Sequence, residues 1–173
     1  MHAVSTLIDR LSGMLGKAVS WICLLMVLLG AFNAVSRYLG RYVGMNLNST
    51  ALTEAQWYMF SVLFLLGGAW ALQQDRHVRV DVLYGRLSSK QKATINLVGT
   101  VLFLLPFCVF GVWASWGYVS NSILQREISP DPGGLPRYPI KALIPFAFVL
   151  LGLQGVSEAL KAFATVRGGQ DES

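Results

Sequence analysis

The chain has 173 residues, 54% of them hydrophobic and only 13% charged, with a mean hydropathy of +0.51. Soluble domains carry about a quarter charged residues, so this composition excludes an ordinary soluble domain and points to a membrane protein. The net charge of +5 comes from basic residues set between apolar blocks; no Lys/Arg-rich run with interleaved aromatics is present, which argues against a nucleic-acid partner.

The first segment, residues 1–17, has helical period. Val4, Leu7, Ile8, Leu11, Met14 and Leu15 fall on one stripe, with Asp9, Arg10 and Lys17 elsewhere. Such an amphipathic stretch suits a helix lying in the membrane interface, and equally an extension of the helix that follows.

A membrane-crossing helix needs about 20 mainly apolar residues. Four stretches qualify, at about 18–36, 55–73, 95–119 and 140–163. The first could be mistaken for a signal peptide. Its apolar run is longer than a signal core and no small-residue cleavage site follows, so it is expected to remain as a helix. Residues 164–173 read as a polar tail. The expected fold is therefore an all-α integral membrane protein of four transmembrane helices.

Basic residues set the orientation. Arg10, Lys17, Arg76, Arg79, Arg86, Lys90, Lys92, Lys161 and Arg167 share the side of the termini, against Arg37, Arg41, Arg126, Arg137 and Lys141 on the other. The count predicts both termini in the cytoplasm. Trp57, Tyr58, Trp70, Trp113, Trp116 and Tyr118 fall near span ends, where amphipathic rings prefer the headgroup zone.

Several chemistries lack their parts. The histidines, His2 and His77, both lie outside the spans, so two-imidazole haem ligation has no ligands. Cys23 and Cys108 sit singly in apolar runs and read as buried thiols. No HExxH, GxSxG or phosphate loop occurs. No enzyme, cofactor or metal site is expected. Carboxylates are absent from the middle of every span, where a cation-coupled carrier would place one. Glu54 reads as a residue favouring the positive end of the second helix, and Glu158 as a partner of Lys161 three residues on.

Small residues mark close helix approach, within the chain or to another subunit: Gly67, Gly68 and Ala71 in the second span, Gly152 and Gly155 in the fourth. The 120–141 stretch, SNSILQREISPDPGGLPRYPIK, cannot be a long helix. Pro130, Pro132, Pro136 and Pro139 fix φ and remove donors, while Gly133 and Gly134 permit a tight turn. A stiff, shaped loop is expected there, with a docking or packing role. Pro145 is expected in the first turn or two of the last helix, where a missing N–H costs little.

The polar exit from the second span, QQDRHVRVDVL, carries His77, Arg79 and Asp81. His77 and Asp81 share a face only if the helix continues, and one His with one carboxylate falls short of a zinc site. In GAWALQQDRHVRVDVLYGRLS and SPDPGGLPRYPIKALIP, together with Glu54 at the head of the second span, the chain resembles the small membrane subunit of tripartite ATP-independent periplasmic (TRAP) transporters. The resemblance covers most of the chain, from the first span to Lys161.

That resemblance implies a division of labour. A large multi-spanning permease subunit carries the substrate and ion sites, a soluble periplasmic substrate-binding protein delivers an organic acid, and an ion gradient drives uptake across the inner membrane. The small subunit serves as a scaffold in the lipid bilayer. His77, Arg79 and Asp81 would then be structural, holding the end of the second helix. An autonomous homo-oligomeric channel or carrier is the alternative.

Overall fold

The computed structural model describes residues 2–44, 49–76 and 87–168. His77, Arg79, Asp81 and the end of the polar tail lie outside the described residues. Four long helices make up nearly all of the rest: α1 (His2–Val43), α2 (Thr50–Gln73), α3 (Ser89–Leu124) and α4 (Tyr138–Gly168). All four are long and apolar enough to cross a membrane. At 1.5 Å per residue even α2 is about 36 Å long, enough for a hydrocarbon core of about 30 Å.

Helix α1 passes through residues 17 and 18 without a break. The amphipathic N-terminal segment is thus a direct extension of the first span, and its polar side packs on α4 (below). Helix α4 is the centre of the bundle: α1 and α2 pack on it and on each other, and α3 packs on it from the other side. The fully buried core is accordingly small, and Trp21, Leu28, Phe32, Phe103, Val109 and Trp113 are all more than half exposed. In lipid such surfaces need no protein cover, because acyl chains are as apolar as leucine.

Close crossings depend on glycines. A Cβ on Gly16 would lie 2.5 Å from Trp70 Cδ1, and one on Gly111 would lie 2.8 Å from the Phe148 ring. Among the predicted small faces, Gly152 meets Cys108 and Gly155 meets Leu104 and Thr100, so both serve contacts of α4 with α3. Gly67 approaches Val19 of α1 only at 3.9 Å, and Gly68 faces open space.

Each helix has an identifiable break or stop. In α3 one π turn, Thr100–Leu104, precedes Pro106. Proline cannot donate to the carbonyl four residues back, and a π turn re-registers the ladder around that loss. Ser88 opens α3 with a capping box, its hydroxyl accepting from Gln91 N–H while the Gln91 side chain accepts from Ser88 N–H. Asp75 ends α2 at φ 54°, with Arg76 N–H donating to Ala71 and Asp75 N–H to Leu72. This is a Schellman stop built on a non-glycine residue. Helix α2 itself therefore ends at Gln73, before the polar stretch that carries His77 and Asp81.

Helix α4 starts at Tyr138, so Pro145 is its eighth residue and lies inside the helix. The expectation of a place in the opening turns needs correction: Pro139 takes that position, and Pro145 leaves the Lys141 carbonyl without its usual i+4 donor.

Candidate functional site

Polar side chains gather at the two ends of the bundle. The loop end is organised by the segment between α3 and α4. Arg126 stops α3 at φ 46°, with Glu127 N–H donating to Ser122 and Arg126 N–H to Ile123. The chain then folds back on itself. Ile128 and Pro136 form an antiparallel bridge, flanked by Ser129 N–H to Leu135 (3.1 Å) and Arg137 N–H to Glu127 (2.8 Å). A turn closed by Gly134 N–H to Asp131 carries Gly133 at φ 75°, a conformation that glycine adopts without strain.

Glu54 holds this hairpin from α2. Its side chain is buried; one oxygen accepts from the Ser129 hydroxyl and the other from Leu135 N–H. The helix begins four residues earlier, at Thr50, so Glu54 is not placed by the helix N-terminus as the sequence suggested. Its anchor is the loop. A Cβ on Gly134 would come 2.8 Å from the Glu54 carboxylate, which explains the second glycine of the pair. Tyr58, one turn on from Glu54, donates to the Pro136 carbonyl at 2.8 Å. Pro136 thus stiffens the loop and, like any residue, offers a carbonyl that accepts from α2.

A second carboxylate, Glu127, accepts from Lys141 and from the Ser122 hydroxyl (2.7 Å), and Lys141 also lies 4.0 Å from the Tyr118 ring centre. These hydrogen bonds, that of Lys141 first, hold the Glu127 carboxyl below its ordinary range. Of the residues predicted for this end, Glu54, Gly134, Pro136 and Lys141 come together in one network. Pro130, Gly133 and Pro139 shape the backbone around it.

At the end carrying the termini, α1, α2 and α4 share a network. Gln154 and Ser157 of α4 are fully buried. Gln154 accepts from the Ser12 hydroxyl at 2.7 Å and donates to Asp9 and Glu158, both at 3.0 Å. The Ser157 hydroxyl lies 3.0 Å from Asp9 and 3.1 Å from the Ser5 hydroxyl. Lys161 pairs with both Asp9 and Glu158 at 2.8 Å, and Gln73 of α2 donates to the Asp9 carbonyl at 2.7 Å. The expected Glu158–Lys161 pair is present, within a larger cluster.

Sequence reasoning missed Asp9, Ser12, Gln154 and Ser157. The only signals were an acidic residue in a membrane-proximal helix and a glutamine inside the apolar run FVLLGLQGVSEAL. Among the described residues no group of three His, Cys, Asp or Glu side chains could hold a metal ion. Along 18–36, 55–74, 93–125 and 142–157 no residue is Asp, Glu, Lys or Arg.

This uncharged four-helix plan, with a shaped loop before the last helix, meets a match in sequence. Residues 26–165 match the family described as tripartite ATP-independent periplasmic transporters, DctQ component. The chain belongs to this family.

Two relatives agree with the small TRAP permease assignment. The chain is 26% identical over 162 residues to the ectoine TRAP transporter small permease protein of Halomonas elongata, covering 93% of this chain and 78% of that one. It is 28% identical over 147 residues to a protein of Haemophilus influenzae named as a TRAP transporter small permease protein, covering 83% of each. This TRAP small permease is a multi-pass membrane protein whose family is one of transporter subunits, not of enzymes.

Proposed function

We propose that this chain is a scaffold for the large multi-spanning permease subunit of a TRAP-type secondary transporter in the inner membrane. The large subunit carries the substrate and ion sites. A periplasmic substrate-binding protein delivers an organic acid to the loop side, and an ion gradient drives uptake. The observation that carries this reading is the uncharged middle of all four helices, with Glu54, Asp9 and Lys161 bonded within the chain at either end. A protein built this way offers lipid and a partner helix a smooth apolar surface, and offers a moving ion little to bind. The stiff loop held by Glu54 is the surface on which the binding protein docks.

The test is recovery of the tagged chain from its native membrane in mild detergent, with mass spectrometry of what accompanies it. A much larger many-spanning permease in stoichiometric amount is expected. Recovery of the chain alone, as a defined homo-oligomer that moves substrate when reconstituted by itself, would replace this reading with that of an autonomous channel or carrier.

A further inference from the structure

A groove opens at the loop end between α2 and α3, with α4 beneath it. Trp57 and Phe64 of α2 line one side, Ile140 and Ile144 of α4 line the base, and Arg137 and Lys141 stand at the mouth. Its volume of about 360 Å³ leaves room for several waters. The surface is nevertheless oily: Phe64 is 70% exposed. Water is a poor occupant for it.

The two cations at the mouth differ. Lys141 is matched by Glu127. Arg137 is not matched in the same way. Its ion partner, Glu54, stands at 4.0 Å, beyond hydrogen-bond reach, and the Glu54 oxygens bond Ser129 and Leu135 instead. The Arg137 Nε is buried without an acceptor, while the side chain as a whole remains 32% exposed and lines the mouth. A guanidinium has five donors in a rigid fork that fits phosphate oxygens in pairs. A donor left unmet at the edge of a hydrocarbon region is costly.

We propose that this groove binds one phospholipid from the leaflet on the loop side. Its phosphodiester sits on Arg137, and one acyl chain runs inward past Phe64 and Ile144. The level is right for such a ligand, since Trp57 beside the mouth is of the type that marks the headgroup zone. An apolar helix of another subunit would cover Phe64 and Ile144 but bring no acceptor to Arg137. A phospholipid supplies both parts.

The full-length chain, purified in mild detergent, is incubated with phosphatidylglycerol or with diacylglycerol of the same chain length, and bound lipid is counted by native mass spectrometry. One phosphatidylglycerol is expected per chain, with diacylglycerol occupancy lower by about tenfold for want of the charge-assisted bonds. Arg137→Gln lowers phosphatidylglycerol binding to the diacylglycerol level. Ser61→Trp, which fills the groove without touching the cations, lowers both lipids, and Arg41→Gln on α1 changes neither. Helix content by circular dichroism accompanies each variant; should Arg137→Gln fail to fold, Ser61→Trp decides alone.

Equal retention of the two lipids overturns the proposal, as does unchanged binding in Ser61→Trp. So does displacement by inorganic phosphate alone, which would mark a free-anion site. Loss of the lipid when the large permease subunit is co-purified would mark a protein interface instead.

Discussion

Glu54 and the backbone N–H of Leu135, 81 positions apart, form the bond that ties α2 to the loop before α4. The other carboxylate oxygen holds Ser129, 75 positions on. One side chain thus fixes both strands of the hairpin that Pro130 and Pro136 stiffen. Glu54→Ala leaves a half-buried N–H and a half-buried hydroxyl without their acceptor, and a donor left unmet away from water costs more than the bond itself contributes. The unfolding midpoint in detergent should fall by a few degrees, and limited proteolysis between residues 125 and 137 should quicken. Glu54→Gln, which keeps one acceptor, should fall between Ala and wild type. Wild-type cleavage rates in Glu54→Ala would show that the loop holds its shape without the carboxylate.

The Glu127 carboxyl titrates below its ordinary range because Lys141 and Ser122 bond its ionised form. A carboxyl depressed in the folded state stabilises above its unfolded pKa, and the contribution disappears as pH falls through the folded value. Stability should therefore drop in acid below the usual glutamate range. Glu127→Gln should flatten that part of the profile while leaving the neutral value slightly lower. The check is a series of thermal melts across pH for both proteins. Profiles of the same slope would assign the acid sensitivity to other carboxylates.

Gln154 is fully buried at the meeting of α1 and α4. Gln154→Leu keeps the volume but strips Ser12 and Asp9 of a partner, and a loss of about 1–3 kcal/mol is expected from groups left unmet. Asp9→Asn should be milder if Lys161 keeps Glu158. Denaturation in mixed micelles, followed by tryptophan fluorescence, measures both. A Gln154→Leu variant as stable as wild type would mean that packing alone joins these helices.

Gly16 faces Trp70 so closely that a methyl group has no room unless the indole moves. Gly16→Ala should cost about 1–3 kcal/mol by overpacking. Gly16→Ala combined with Trp70→Leu should recover part of it, since the smaller side chain vacates the space the methyl needs. The double-mutant cycle in the same unfolding assay reads the coupling. Additive losses would show that the two sites do not share a contact.

Much of this architecture was open to a reader of the sequence. Four apolar stretches of sufficient length announce four membrane helices, because the bilayer demands internally satisfied backbone and rewards apolar side chains residue by residue. The bends were also legible. Proline and glycine act through their own φ and donors, so SPDPGGLPRYP must turn wherever it is placed. The Glu158–Lys161 pair followed from helical spacing alone.

Tertiary structure decided the polar contacts. Helix α1 runs on past its membrane span, and this sets Asp9 beside Gln154, 145 positions away. The crossing of α2 with α4 carries Glu54 away from its own helix end and onto Ser129 and Leu135. Hydrophobicity and local propensity sum along the chain, and so they can be read from it. A hydrogen bond needs two atoms at one point in space, and only the packing of the helices brings them there.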